Sequence, residues 1–336
     1  MSLRIGINGF GRIGRLVYRI GRQHPGLDFV AVNDITDPQR LAYLLKYDST
    51  HRILHEDITT SSDEIIVAGE KLKVFSIKTP KDIPWKDLNI DIVIESAGIF
   101  RSREMAAMHL EAGAKKVILT APGKGEPPDF TCVLGINENM YNPEKHFVIS
   151  NASCTTNCFA PMVRILDDKF VMKKGFMTTV HAYTNDQRLI DTPHRAMRRG
   201  RAAAHSIIPT TTGAAKAIVE VMPKFAGKLD AISMRVPVID GSITDFVCEV
   251  EHETTVEEVN QAFKEAAEGH FKGIIEYSEA PLVSCDIIGN PHSLIFDSLE
   301  TKMVGKTLIK TIGWYDNEWG YASRVVDLIK FVGDRL

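Results

Sequence analysis

Gly9-Phe10-Gly11-Arg12-Ile13-Gly14 constrains this chain more than any other stretch. Leu3 to Asn8 precedes it as an apolar run that reads as a strand. Arg15 to Arg22 follows with helical spacing, and Phe29 to Asp34 reads as a second strand ending on an acid. Strand, glycine turn, helix and strand form the unit that holds a dinucleotide. Gly9 permits the tight turn, Gly11 lets a pyrophosphate approach the backbone, and Gly14 allows helix and strand to pack closely. The helix N-terminus offers N–H groups to the pyrophosphate. Asp34 is placed to accept a hydrogen bond from a ribose hydroxyl. A glycine turn in an unrelated α/β protein is the competing reading, and the flanking strands with their acid weigh against it.

Further strand-like runs alternate with helical ones. Ile90 to Glu95 precedes Ala97-Gly98 and a helix over Arg103–Ala112; Lys116 to Thr120 precedes Ala121-Pro122-Gly123; Thr131 to Ile136 reads as another strand. This alternation predicts a doubly wound, mostly parallel sheet, with the loops after its strands flanking a cofactor crevice. Glu56 to Pro84 reads as a hairpin-rich insertion.

A second constellation opens at Ser150-Asn151-Ala152-Ser153-Cys154-Thr155-Thr156-Asn157-Cys158. The apolar run Phe147-Val148-Ile149 leads into it and a helix-like Phe159 to Phe170 leaves it. A cysteine in the first turn of a helix meets N–H groups and a dipole that favour the thiolate, so a depressed thiol pKa and covalent chemistry are expected of Cys154. The competing reading is an inert, buried cysteine. Cys132, Cys158, Cys248 and Cys285 lie in apolar or strand-like runs and read as inert. No Cys/His cluster has zinc-ligand spacing, so no metal is expected.

After this helix the texture changes. Met177 to Tyr183 alternates as a strand, and Gln187 to His205 is polar and basic, with Arg195, Arg198, Arg199 and Arg201. That run reads as a solvated loop, or as a loop clamped at a subunit interface or beside a cofactor. Pro209 to Lys216 opens a helix whose threonines and glycine suit a phosphate, or simply an N-cap. Ala231–Val238 and Thr244–Glu251 alternate as strands of an antiparallel sheet. Arg235 stands among apolar neighbours in the first, where an unpaired charge is costly, and is expected to face an anion. Thr255-Val256-Glu257-Glu258 is a capping box. Strands follow over Leu282–Ile287 and Leu294–Trp314, then a last amphipathic helix over Tyr321–Val332.

With 336 residues, two domains are expected. A net charge of −3 gives no electrostatic reason to expect nucleic-acid or membrane partners, and no apolar run reaches bilayer length. Five widely spaced cysteines suggest a reducing, cytoplasmic setting rather than a disulfide framework. The N-terminus enters a strand at once, without an apolar signal region.

Taken together, Ile7 to Arg15, Ser150 to Cys158, His181-Ala182-Tyr183-Thr184-Asn185-Asp186-Gln187, Thr210 to Lys216, Met234-Arg235-Val236-Pro237 and Trp314 to Glu318 closely resemble phosphorylating glyceraldehyde-3-phosphate dehydrogenases. The resemblance runs from end to end. It implies an α/β fold: a doubly wound dinucleotide-binding domain over 1–152 with the C-terminal helix 317–336, and an α+β catalytic domain over 153–316 with a largely antiparallel sheet. It also implies a homotetramer, NAD as cofactor, and a small-molecule substrate with inorganic phosphate as partners. At matched positions, Cys154 would be the nucleophile and His181 its base and ion-pair partner. Thr184, Asp186 and Arg235 would hold the substrate's phosphate; Ser153, Thr155, Thr212 and Gly213 would hold the attacking phosphate. Gly9, Phe10, Gly11, Arg12, Ile13, Gly14, Asp34, Lys78, Thr120 and Asn317 would contact the dinucleotide. Ala97-Gly98 replaces the usual Thr-Gly, Lys78 a common arginine, and Thr192, before Pro193, a usual leucine. Asp34 and Pro193 predict a preference for NAD over NADP.

The implied reaction converts glyceraldehyde 3-phosphate, phosphate and NAD to 1,3-bisphosphoglycerate through a thioester. The sister activity on erythrose 4-phosphate is the close alternative, although Thr184 to Gln187 and Thr212 to Ala215 follow the glyceraldehyde-phosphate pattern. Cysteine with histidine also suits a hydrolase, which the nucleotide fingerprint opposes. A binding module without turnover is opposed by the intact Cys154/His181 pair.

Overall fold

The computed structural model describes residues 2–336. It contains two compact units, one formed by Met1–Cys132, Asn139–Ala152 and Ala322–Leu336, the other by Val133–Glu138 and Ser153–Tyr321. Residues 317–321, grouped above with the last helix, cluster with the second unit.

The first unit carries β1 (Leu3–Asn8), α1 (Arg12–Gly21), β2 (Leu27–Asn33), α2 (Pro38–Lys46), β3 (Tyr47–Asp48), β4 (Arg52–Ile53), β5 (Ile58–Thr60), β6 (Glu64–Val67), β7 (Glu70–Phe75), β8 (Ile92–Glu95), α3 (Arg103–Glu111), β9 (Lys116–Leu119), β10 (Phe130–Thr131) and β11 (Val148–Ser150). Nine strands form one sheet in the order β10-β11-β9-β8-β1-β2-β7-β6-β5. From β10 to β7 every pairing is parallel; β6 and β5 extend the sheet antiparallel. The chain winds outward from β1 through β2 to β7, then returns to β8 on β1's other side. That reversal creates the switch point at which such sheets take ligands. Central strands are apolar on both faces, as helices on both sides require: Ile5, Ile7, Ile92, Val93 and Ile94 are fully buried.

One local expectation fails here and another is extended. Val133 to Ile136 is a turn rather than strand, because Asn137 Oδ1 accepts from Val133 N at 2.9 Å and Gly135 takes a φ of 84°. In the expected hairpin insertion, β5, β6 and β7 do form a meander, but β7 also extends the parallel sheet beside β2.

The second unit carries α4 (Cys154–Phe170), β12 (Met172–Ala182), β13 (Ile208–Thr210), α5 (Ala214–Val221), β14 (Leu229–Val236), β15 (Ser242–Val250), α6 (Val256–Glu268), β16 (Ile275–Ser278), β17 (Leu294–Val304), β18 (Leu308–Tyr315) and the start of α7 (Trp319–Gly333). Its sheet runs β13-β14-β12-β15-β18-β17-β16 and is mixed, with four antiparallel and two parallel pairings. β14 and β15 are consecutive yet do not pair. β12 lies between them, parallel to β14 and antiparallel to β15. Alternate residues of β15 are buried, and Phe246 meets Phe159 of α4 edge-on at 4.8 Å. Leu282–Ile287 is not a strand: Asp286 Oδ2 accepts from Val283 N at 2.9 Å and winds Ser284–Ile287 into a 3-10 turn.

Candidate active site

α4 begins on Cys154. Ser153 caps it, its hydroxyl accepting from Thr156 N at 3.0 Å. Cys154 Sγ lies 3.5 Å from His181 Nε2. His181 is the last residue but one of β12, and its Nδ1 lies 2.7 Å from the Ala182 carbonyl oxygen. A carbonyl only accepts, so Nδ1 carries the ring proton and Nε2 offers its lone pair to the sulfur. Arg235 Nη1 also lies 3.3 Å from Nδ1, but a guanidinium only donates, so the shorter carbonyl contact sets the tautomer.

The expected depression of the Cys154 pKa is corrected by this geometry. Burial pushes the thiol up, against the Arg235 charge and the N–H and hydroxyl of Thr155, which favour the thiolate. Burial, with help from Arg235, pushes His181 down to about 3. Either charge made alone here is unfavourable. Passing one proton from Sγ to Nε2 makes both at contact distance, where opposite signs offset each other's loss of water.

Strand register assembles the anion-binding side chains. β12 and β14 align His181 with Arg235, and β14 and β13 align Arg235 with Ile208. Arg235 Nη1 donates to Thr184 Oγ1 at 3.1 Å and to the Ala182 carbonyl at 3.2 Å. Its Nε is buried and makes no hydrogen bond, a donor left for a ligand.

Asp186 differs from its expected direct contact with phosphate. Its carboxylate is ion-paired with Arg199, which also donates to Thr210 Oγ1 at 2.9 Å and to the Thr211 carbonyl at 3.2 Å. A carboxylate repels an anion; its place here is to orient a cation. Arg199 is the residue that sequence reasoning missed, because it sat inside an undifferentiated basic run. Thr155 also differs. Its hydroxyl contacts Tyr315 OH at 2.9 Å and supports the sulfur, and Tyr315 OH meets Thr179 Oγ1 at 2.8 Å. The Tyr315 ring stands edge-on to His181 at 5.9 Å. Asn317 Oδ1 accepts from Ser242 Oγ at 2.6 Å, and that hydroxyl accepts from Ala182 N at 3.1 Å, tying Asn317 to the His181 strand.

Two helices stand apart in their capping. α2, α3, α4 and α6 have side-chain N-caps from Asp37, Ser102, Ser153 and Thr255. α1 and α5 begin at Gly11 and Gly213 with no side-chain cap, and a Cβ at either glycine would meet open space. No cap side chain closes either helix start, so an anion can approach there. Beside Gly213, Thr212 Oγ1 accepts from Ala214 N at 3.3 Å. In the first unit the glycine turn is closely built. Gly9 has φ +90°, and a Cβ there would meet Ala97 N at 2.4 Å; one at Gly14 would meet the Gly9 carbonyl at 2.3 Å. Asp34 accepts from Phe10 N at 2.9 Å. Arg12 is bound to Asp48 through both guanidinium arms. Burial opposes the Asp48 charge, but the His51 N–H and Arg12 outweigh it and hold the carboxyl at about 2. Thr120 Oγ1 donates to the Glu95 carbonyl, and Lys78 is exposed beyond β7. These residues fit a dinucleotide.

Asp240, fully buried between β14 and β15, is pushed up to about 9, by burial first and then by the Asp316 charge. Asp316 accepts hydrogen bonds from the N–H groups of Gly289, Glu318 and Trp319. Folded Asp240 therefore keeps a proton that the unfolded chain loses near pH 4. Between pH 4 and 9 the folded state binds the extra proton, so stability falls as pH rises. Asp240→Asn keeps a donor toward Asp316 without that proton. We expect its melting temperature to exceed wild type by about 4 °C or more at pH 8 and to match it near pH 3.5. An equal shift at both pH values rules this account out.

Sequence profiles of two domains match the chain. "Glyceraldehyde 3-phosphate dehydrogenase, NAD binding domain" covers residues 3–103, and "Glyceraldehyde 3-phosphate dehydrogenase, C-terminal domain" covers 153–317. The chain is 56% identical to glyceraldehyde-3-phosphate dehydrogenase 2 of Streptomyces avermitilis over 337 aligned residues, covering all of both chains. It is 56% identical to the Thermotoga maritima enzyme over 331, covering 98% of each. It is 52% identical to that of Geobacillus stearothermophilus over 335, covering 100% of this chain and 99% of the relative. With both domain profiles matched and such identity along its whole length, the chain belongs to the glyceraldehyde-3-phosphate dehydrogenase family.

Proposed function

We propose that the chain oxidises glyceraldehyde 3-phosphate with NAD and inorganic phosphate to 1,3-bisphosphoglycerate through an acyl thioester on Cys154. It is an NAD-dependent phosphorylating dehydrogenase by family, and the names of its relatives do not favour the erythrose 4-phosphate alternative. The observation that carries the residue assignment is the sulfur of a helix-start cysteine 3.5 Å from an unprotonated imidazole nitrogen, beside an arginine with a free buried donor.

Sγ gives its proton to His181 Nε2 and bonds to the aldehyde carbon; the proton then passes to the new alkoxide, giving a hemithioacetal. His181 next takes the hydroxyl proton as the carbon–hydrogen bond breaks. NAD supplies the acceptor for that hydride. The thioester left on Cys154 is attacked by a phosphate oxygen, the carbon–sulfur bond breaks, and the thiolate is regenerated. Arg235 and Thr184 hold the substrate's phosphate, with Arg199 close by and oriented by Asp186. Ser153, Thr212 and Gly213 receive the inorganic phosphate at the starts of α4 and α5, while Thr155 supports the sulfur.

Phosphate-dependent formation of absorbing reduced cofactor on adding glyceraldehyde 3-phosphate tests the reading. A higher kcat/KM for erythrose 4-phosphate overturns the substrate assignment. Arg235→Leu should raise KM for glyceraldehyde 3-phosphate by roughly 10- to 100-fold, the loss of a charge-assisted contact of about 1.5–3 kcal/mol. Turnover of unphosphorylated glyceraldehyde should change far less. Equal losses on both substrates assign Arg235 a structural role.

A homotetramer accords with the apolar side chains left at the surface of the segment after β12. Leu189, Ile190, Met197 and Ile207 are each at least 68% exposed. Sedimentation at four chain masses checks it. All five cysteines are free, as a reducing cytoplasm would keep them. No helix among the described residues is long and apolar enough to cross a membrane.

A further inference from the structure

Asn8, Asn33 and Glu95 sit side by side at the carboxyl ends of β1, β2 and β8, where the winding of the first sheet reverses. All three are buried, each at most 4% exposed. Glu95 Oε1 accepts from Ala97 N at 2.8 Å. Its Oε2 accepts from Asn8 Nδ2 at 2.5 Å and faces His109 Nε2 at 2.9 Å. His109, on α3, receives the Trp85 indole N–H on Nδ1 at 3.0 Å. Asn8 Oδ1 in turn accepts from Asn33 Nδ2 at 2.7 Å, and Asn33 pairs with both backbone groups of Ile77.

The hydrogen-bond roles along this chain are fixed by chemistry. An indole N–H only donates, so His109 Nδ1 must accept; the ring proton then sits on Nε2 and points at Glu95. Glu95 thus gathers three N–H donors, from Ala97, Asn8 and His109, and none of its neighbours competes as an acceptor. One of those donors has a direct geometric consequence. Ala97 N is the atom that a Cβ on Gly9 would strike at 2.4 Å, so the loop after β8 lies directly against the glycine turn. Moving Ala97 by a few tenths of an ångström moves the wall against which Gly9 takes its φ of +90°.

Resting on the reading of this unit as the NAD site, we propose that Trp85, His109 and Glu95 form a positioning relay for cofactor binding. It fixes the Ala97-Gly98 loop against Gly9, and with it the turn that presents the α1 N-terminus to the pyrophosphate. The residues do not touch the reacting atoms; they act through Ala97 and Gly9. Their role is in the affinity for NAD, and the chemistry of Cys154 is independent of them.

The test compares His109→Gln and His109→Leu. A glutamine can donate from Nε2 to Glu95 and accept the indole N–H on Oε1; a leucine leaves the buried indole N–H without its partner and takes one of Glu95's three donors away. NAD affinity is read by titration calorimetry on the full-length protein, and the Cys154 thiol by its rate of alkylation with iodoacetamide without NAD. We expect His109→Leu to weaken NAD at least 10-fold, His109→Gln to stay within about 3-fold of wild type, and alkylation of Cys154 to be unchanged in both. Trp85→Phe, which keeps an aromatic ring but removes the donor together with the indole's second ring, should weaken NAD by about 3-fold, and it decides the matter with His109→Gln if the leucine variant does not fold. The proposal is overturned by unchanged NAD affinity in His109→Leu, by equal losses in the leucine and glutamine variants, by Trp85→Phe binding NAD as wild type does when the leucine variant does not fold, or by alkylation that slows in step with NAD affinity. Wild-type protein that binds no NAD at all refutes the assignment of the site itself, a separate outcome.

Discussion

Cys154→Ala is expected to reduce phosphate-dependent NADH formation to below about 10⁻⁴ of wild type, with the fold and NAD affinity retained. Every covalent step in the proposed cycle uses this sulfur, so no partial path survives its removal. Cys158 cannot substitute. It lies one helical turn further along α4, fully buried, with Sγ 3.8 Å from the Gly313 carbonyl, and burial pushes its thiol up to about 12. Cys158→Ala should instead cost stability, about 1–2 kcal/mol for emptying a packed site, with kcat nearly unchanged. Cys285 is the exposed thiol and gives an internal control. Iodoacetamide should modify both Cys154 and Cys285, with loss of activity following Cys154 alone. Full activity after stoichiometric alkylation of Cys154 would falsify the nucleophile assignment.

What the sequence made legible was local. The glycine fingerprint, its strands and the acid at Asp34 are contiguous, and Gly14 answers to the Gly9 carbonyl within the same turn, whereas the close approach at Gly9 comes from Ala97, far along the chain. The capping box at Thr255 and Glu258 is equally local and forms as written. Features set by distant pairings were hidden. That β12 inserts between β14 and β15 is decided by side-chain fit across the sheet, and nothing in the loop joining the latter two announces it. The electrostatics of the site were hidden for the same reason. A helix start argues for a thiolate, but the walls that remove water from Cys154 and His181 come from the sheet beneath, including Tyr315. Asp186 and Arg199 read separately as a substrate contact and a surface charge; only folding shows that one orients the other. The Trp85–His109–Glu95 relay joins residues on a loop, a helix and a strand, and no spacing rule finds it.

His181→Asn is expected to slow acylation by roughly two to four decades, the range for loss of a positioned general base. Asparagine preserves a polar side chain at the end of β12 but brings no basic nitrogen to Sγ. The imidazole matters twice. Its Nε2 lone pair, exposed because the Ala182 carbonyl holds the other proton, receives the thiol proton as sulfur attacks. It then receives the hemithioacetal hydroxyl proton as the hydride departs. Burial that pushes His181 down to about 3 keeps this nitrogen unprotonated across neutral pH, so the base is available without a prior deprotonation. The thiol, raised by burial, depends on that acceptor all the more. In His181→Asn, alkylation of Cys154 at pH 7 should therefore slow along with acylation, and raising the pH should restore part of both as hydroxide takes over the proton. KM for glyceraldehyde 3-phosphate should move little, because Arg235 keeps its bonds to Thr184 and the Ala182 carbonyl without the ring. Single-turnover measurement of NADH release separates these steps. An acylation rate within 10-fold of wild type, with alkylation of Cys154 unslowed, shows that the imidazole at 3.5 Å is not the base.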